Sequence, residues 1–484
     1  MVNRQKESGA YYTPAHVVDV LVKWATRKSS DRMLDPSAGD GRFLARHSNS
    51  VGVEHDKQAA AVAAARAPNS ALHVGDFFAY AQQATERFDC AAGNPPFIRY
   101  QLFKGPVRTR ALALCRTLGA DFSALTSSWA PFLVAAASRL KDGGRMAFVV
   151  PAEVGHAPYA VPLLKYLAEH FEHVGFLAIR NKLFSELSED VWLMYAEGYG
   201  GSTNSFTLSV ANNVTALTDP PKNGIIVALE AWSQFGARLR PFLVDSSIRD
   251  LYRRVSNSPG SIALGAVARV GIGYVTGAND FFHLRPSTVA KLGIPKQLLQ
   301  PAVRNGRSLP RQALTLGDLE QWHQNDNPYL LLRLNNRVVL PPSVIKYLES
   351  PVGQEVRLAY KCAKREPWYV VPDVSIPDGF ISYMSSDHPT FIENGAMCAG
   401  TNSVHCVKLT NGVSISELTT AWQHPFTQLS CEIEGHPLGG GMLKLEPREA
   451  QKVRLAAHRR WSKEDLVLVN EGLVTLRAWR HVRA

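Results

Sequence analysis

The chain has 484 residues, 45% hydrophobic and 20% charged, and carries 53 Lys+Arg against 42 Asp+Glu for a formal charge of +11. That length predicts two or three domains, and the apolar fraction is that of a folded globular chain, which excludes a disordered or fibrous protein. No stretch approaches the roughly 18 consecutive apolar residues of a membrane helix and the first residues lack the apolar core of a secretory signal, so a cytoplasmic protein with no membrane partner is expected.

From residue 15 to residue 197, short β-type runs alternate with helical patterns. Strands are predicted at 32–34, 51–54, 71–74, 89–92, 145–150, 174–179 and 191–196, and helices at 15–27, 57–66, 125–140 and 161–170. The alternation predicts an α/β fold built on a doubly wound sheet, in which ligands bind beyond the carboxyl ends of the strands. Residues 198–224, rich in Gly, Ser, Thr and Asn and closing near Pro220-Pro221, are expected to be a linker or an edge hairpin. The expected division is a catalytic domain over 1–200, this connection over 201–224, and a separate mixed domain over 225–484 without internal repeats.

Charge follows the same division. Residues 1–200 carry a net +3 and residues 201–484 a net +8, and between 238 and 311 twelve Lys/Arg face only Asp245, Asp250 and Asp280. Such a surplus of cations suggests a polyanionic partner for the second half. Six cysteines (Cys90, Cys115, Cys362, Cys398, Cys406, Cys431) form no CxxC pair and no cluster with histidine, so neither a zinc site nor a disulfide framework is expected.

The chemistry is carried by four strand ends. Met33-Leu34-Asp35 runs into Pro36-Ser37-Ala38-Gly39-Asp40-Gly41, a turn that lets backbone approach a ligand closely, without the dinucleotide fingerprint or the Lys-Ser/Thr of a phosphate loop. The second strand ends in Glu54, placed to accept hydrogen bonds from both hydroxyls of a ribose. The third ends in Gly75-Asp76-Phe77, a carboxylate suited to an exocyclic amine beside a ring that can stack on a purine. Each alone reads equally well as a turn; in this order they point to adenosine.

The fourth strand ends in Gly93-Asn94-Pro95-Pro96-Phe97. Two successive prolines fix φ and exclude helical geometry before them, giving a stiff corner that exposes the Asn94 side chain and nearby carbonyls. Acceptors held this rigidly can grip a conjugated amine and favour a pyramidal nitrogen, while Phe97 stacks on the ring that bears it.

With these motifs the chain resembles the class I S-adenosylmethionine-dependent methyltransferases that act on amino nitrogens. With Gly9-Ala10-Tyr11-Tyr12-Thr13-Pro14 ahead of the glycine turn, it resembles the TaqI-like, gamma-order DNA adenine methyltransferases of restriction–modification systems. The resemblance is strong over about residues 8–197. It continues more loosely at 270–282, 359–372, 399–409 and 435–447, which look like parts of a C-terminal mixed α/β target-recognition domain. It implies S-adenosylmethionine as cofactor, held by Thr13, Asp35, Ser37, Gly39 and Gly41 at the methionine end, Glu54 at the ribose, and Asp76 and Phe77 at the adenine. It implies double-stranded DNA as partner, with Asn94, Pro95, Pro96 and Phe97 at the target adenine and Phe184 as a second stacking ring. It requires no metal and leaves open whether a cognate restriction endonuclease accompanies the chain. Phe97 stands where many relatives have Tyr, which preserves a stacking ring.

Two other readings use the same residues. A protein glutamine or RNA amino-group methyltransferase would also need the corner, but such glutamine enzymes have a helical domain in front and little after the core. A catalytically silent DNA-binding subunit would have no use for an intact Asn94-Pro95-Pro96-Phe97. Trp368 and Tyr369 are expected in a core, and residues 271–277 in a loop without nucleotide-binding function.

Overall fold

The computed structural model describes residues 12–184, 190–214, 223–335, 339–410, 412–456 and 460–482. It divides into two compact units, Met1–Leu243 and Val244–Ala484.

The first unit is built on a nine-stranded sheet: β1 (Met33–Asp35), β2 (Ser50–Glu54), β3 (Ala71–Val74), β4 (Phe88–Gly93), β5 (Leu140–Pro151), β6 (Phe171–Ile179), β7 (Val191–Tyr199), β8 (Ser205–Ala211) and β9 (Ile225–Ala228). Their order across the sheet is β3-β2-β1-β4-β5-β7-β6-β8-β9. Strands β1 to β5 pair in parallel, β7 inserts antiparallel between β5 and β6, and β8 and β9 extend the edge. The winding reverses between β1 and β4, with Leu34 opposite Ala91, so the crevice of a doubly wound sheet opens beyond Asp35 and Gly93. This is the α/β fold with a doubly wound sheet that the sequence predicts, extended at one edge by β6 to β9.

Helix Ala15–Ala25 shows why the sheet is covered. Val17, Val18 and Leu21 repeat at helical spacing and are buried with Cys90, Ala92, Ala147, Val149 and Leu193 in one apolar cluster. Helix Trp129–Ala137 is apolar nearly all round and almost wholly buried. It is shorter than the span expected over 125–140. Thr126, Ser127 and Ser128 are buried polar residues outside the helix, and Leu140 already begins β5, opposite Phe88. Helix Gly105–Thr117 was not expected, because only Ala111, Leu114 and Cys115 on it are buried and its apolar stripe is too thin to register as a period. The 198–224 stretch supplies β8; its residues 215–222 lie outside the described residues.

The second unit is mixed α/β. A five-stranded sheet runs Ala268–Ile272, His405–Leu409, Gly379–Ile381, Phe391–Asn394 and Ala313–Leu314, and a four-stranded one includes Leu299–Val303 and Leu330–Leu332. Helices Ile415–Gln423, Pro425–Glu434 and Lys463–Ala478 complete it. Trp368 and Tyr369 pack against the apolar cluster of Phe281, Phe282 and Leu331. The six cysteines are free thiols, five of them buried. No helix among the described residues is long and apolar enough to cross a membrane.

Candidate active site

The site assembles where β1 and β4 end side by side. Asp35, the last residue of β1, is fully buried; its Oδ1 accepts the Ser37 N–H at 3.1 Å, and its Oδ2 has no partner among the described residues. Burial pushes its carboxyl pKa up to about 8; the Ser37 N–H opposes that, and the charges of Glu54 and Asp40 add to it. Gly93 closes β4 directly beside it: a Cβ there would stand 2.8 Å from Asp35 Oδ1 and 3.2 Å from Phe148. Only glycine lets the two strand ends approach this closely.

The turn after β1 is locked from three sides. Gly39, at φ +53°, donates its N–H to Glu54 Oε2 at 2.7 Å, and Glu54 Oε1 accepts the Asp56 N–H at 2.8 Å. Gly41, at φ +80°, brings the turn so close to helix Lys57–Arg66 that a Cβ would meet Ala63 Cα at 2.8 Å. Ser37 Oγ donates to the Asn94 carbonyl at 3.1 Å, joining the turn to the proline corner. Thr13 is buried and its carbonyl accepts from Arg42 Nη1 at 2.8 Å, while the Arg42 guanidinium lies 5.0 Å over the Tyr12 ring. Gly9, Ala10 and Tyr11 of the same motif lie outside the described residues.

Asp76 caps helix Phe77–Gln83, accepting the Phe78 N–H at 3.0 Å, and forms an ion pair with Arg110. Phe77 stacks on Phe132 with ring centroids 5.5 Å apart, so little of its ring is exposed. At the corner, Asn94, Pro96 and Phe97 are half-buried and Pro95 is buried. Phe97 packs against the apolar cluster that also contains Phe184, so the two proposed stacking rings share one cluster.

No strand-end motif marks what holds the corner. Ser128, at the start of helix Trp129–Ala137, donates its hydroxyl to the Pro96 carbonyl, accepts the Ile98 N–H at 2.9 Å, and donates its own N–H to the Ile98 carbonyl at 2.9 Å. Its neighbour Trp129 donates its indole N–H to the Tyr159 hydroxyl at 3.0 Å, and Tyr159 in turn donates to Glu153. Burial suppresses the acidity of Tyr159. Arg110 and Ser128 were both missed because neither belongs to a strand-end motif. Among the described residues, no group of three or more His, Cys, Asp or Glu side chains is placed to hold a metal ion.

Residues 238–481 match the family model described as Type II methyltransferase M.Eco57I, C-terminal domain, and residues 2–65 match N-6 DNA Methylase. The chain is 20% identical over 478 residues to the Type II methyltransferase M.AccI of Acinetobacter calcoaceticus, covering 93% of this chain and 86% of that protein. It is 23% identical to the Type II methyltransferase M.XamI of Xanthomonas campestris pv. amaranthicola, covering 94% and 86%. In fold it is similar to the Type IIL restriction-modification enzyme MmeI solved in complex with DNA, with a TM-score of 0.52 at 12% identity over 84% of this chain and 60% of that one. With half of its length matched to the M.Eco57I C-terminal domain, the chain belongs to that family of Type II methyltransferases.

Proposed function

We propose that the chain is a TaqI-like, gamma-order DNA methyltransferase that uses S-adenosylmethionine to methylate the exocyclic amine of an adenine flipped out of duplex DNA, protecting host DNA in a restriction–modification system. The observation that carries the reading is the junction of Asp35, Ser37 and Asn94: a glycine turn bonded to a proline-stiffened corner at the switch point of the sheet.

The residues present fit the cofactor. Asp35 Oδ2 is a buried acceptor without a partner among the described residues, suited to the cationic methionine end, and the positive-φ glycines keep side chains out of the turn. Asp35, Ser37, Gly39, Gly41 and Thr13 would hold that end, Glu54 the ribose, and Asp76 with Phe77 the adenine. When bound, the cofactor supplies a methyl group on a sulfonium, already an activated leaving group. The protein therefore needs to position a nucleophile rather than deprotonate it strongly. The Asn94 side-chain oxygen and the Pro95 carbonyl would accept the two N–H bonds of the target amine and favour a nitrogen lone pair directed at the methyl. Phe97 would stack on the extruded base and offset part of the lost stacking. The basic second unit would supply phosphate contacts and groove readout.

The test is Asn94→Ala in the full chain. Methyl transfer to DNA is expected to fall at least about 100-fold while duplex affinity stays within a few-fold of wild type. A purified variant with unchanged turnover overturns the assignment. Sequencing DNA from a methylation-free host that expresses the wild-type chain would identify the modified base and its site.

A further inference from the structure

One segment of the second unit is exposed in a way its surroundings do not explain. Helix Pro351–Arg357 is followed by a turn in which Leu358 is 79% and Tyr360 74% exposed, while Cys362 between them and the core is fully buried. Arg357, Lys361 and Lys364 are exposed as well. From 357 to 365 the sequence has four cations and no acid, with Glu355 and Glu366 just outside it.

The turn is held by a rigid base. Arg365 donates to the Thr276 carbonyl at 2.7 Å and the Val275 carbonyl at 2.5 Å, and the Cys362 thiol lies 3.6 Å from the Thr276 carbonyl. Gly277, at φ +86°, admits this contact: a Cβ there would stand 2.8 Å from Lys361 Cβ and 3.2 Å from Cys362 Sγ. Beneath it Trp368 packs on Phe281, and Phe281 stacks on Tyr347 at 4.6 Å with planes 6° apart. Two sequence motifs, 270–282 and 359–372, thus form one platform with the exposed turn on top.

Several cations of this unit are paired with acids: Arg253 with Asp250, Arg254 with Asp465, Arg304 with Asp280, Lys408 with Asp378 and Lys444 with Glu446. Among the described residues Arg357, Lys361 and Lys364 have no such partner. Large exposed apolar groups are costly to leave facing water, and with cations interleaved among them they complement a partner that offers phosphates along a groove.

We propose that the turn from Arg357 to Lys364 is a DNA-contacting element of the second unit, with Arg357, Lys361 and Lys364 on backbone phosphates and Leu358 and Tyr360 placing apolar surface in the adjoining groove. It rests on the reading of this unit as the DNA-binding half and names the surface that does the binding. Leu358 and Tyr360 act as the non-polar wedge, the kind of side chain that groove binders press against base edges or between base steps.

The experiment uses the full chain, a labelled mixed-sequence duplex and fluorescence anisotropy over a salt series. Lys361→Ala/Lys364→Ala is expected to reduce the magnitude of the log affinity against log salt slope by about 2. Leu358→Ala/Tyr360→Ala is expected to weaken binding roughly tenfold at every salt concentration with the slope unchanged. Both should keep wild-type melting and S-adenosylmethionine binding, since the substituted side chains are exposed. If the wild type binds and both variants match it in affinity and slope, as they would if this surface served a protein partner, the proposal is overturned while the DNA reading stands. A wild type that does not bind duplex even at low salt overturns both.

Discussion

Asp35 is the residue whose chemistry most constrains the site. An acid whose pKa in the folded chain is raised from 3.8 to about 8 keeps a proton that the unfolded chain has lost. Its contribution to stability is therefore fully present below about pH 4 and is lost as pH rises through about 8. A cation placed beside it reverses the preference, so binding S-adenosylmethionine near pH 7 is expected to release a proton. Calorimetry in buffers of different ionisation enthalpy measures that release directly. Asp35→Asn should abolish it, and release unchanged in the variant would remove Asp35 from the cofactor's surroundings. Ser128 acts one step further out, through the corner. Its hydroxyl and its N–H make three hydrogen bonds to the carbonyls and N–H of Pro96 and Ile98; Ser128→Ala keeps the N–H bond but leaves the half-buried Pro96 carbonyl and Ile98 N–H unmatched at about 1–3 kcal/mol, and on the proposed reading loosens the grip on the target amine. The expected signature is a kcat lower by roughly 10- to 100-fold with cofactor affinity unchanged and partial recovery in Ser128→Thr. A variant with wild-type kcat would show that the corner holds its shape without this residue.

At the scale of elements, what was legible in the sequence is what local pattern determines. Strands β1 to β7 follow from short apolar runs closed by turn residues, and the acids Asp35, Glu54 and Asp76 fall at or just after the carboxyl ends of β1, β2 and β3, where a doubly wound sheet places its ligand crevice. The helix Gly105–Thr117 escaped because its burial is tertiary, and with it went Arg110, whose partner Asp76 lies 34 positions away. The second unit was illegible for a related reason. Ala268–Ile272 pairs with His405–Leu409, more than a hundred residues on, and strands of two to five residues carry no period of their own. Its helices are tied by a pair 48 positions apart in sequence. Arg480 and Glu432 are both about 1% exposed; Arg480 donates Nε to Oε2 at 3.0 Å and Nη2 to Oε1 at 2.6 Å, and also reaches the carbonyls of Ser386, Asp387 and Gly441. This one guanidinium fastens the C-terminal helix, the 386–387 loop and the Gly439–Gly441 turn to helix Pro425–Glu434. Arg480→Met strands a buried carboxylate and several carbonyls and is expected to cost about 3–5 kcal/mol, measured by denaturant unfolding. A loss below about 1 kcal/mol would mean the pair behaves as a surface ion pair.

For the whole molecule, the division into Met1–Leu243 and Val244–Ala484, each with its own apolar clusters, separates two jobs that the proposed reaction needs at once. One unit must hold a small cationic cofactor in a buried crevice; the other must meet a long polyanion on an exposed face. Burial favours rigid, uncharged surroundings with a few placed acids, whereas polyanion binding favours a surplus of exposed cations, and the net +4 of residues 1–243 and +7 of residues 244–484 follow that difference. Units with separate cores are not bound to unfold as one, and each can be addressed on its own. Saturating S-adenosylmethionine at about 100 times its Kd adds about 2.7 kcal/mol to whatever binds it, and the Arg480→Met cost falls only where that pair sits. Scanning calorimetry of the full chain is therefore expected to show two transitions, one raised by the cofactor and indifferent to Arg480→Met, the other lowered by the substitution, by roughly 6–12 °C, and indifferent to the cofactor. A single transition displaced by both would mean that the two cores unfold as one body, and that charge and cofactor chemistry are divided along the sequence without being divided in stability.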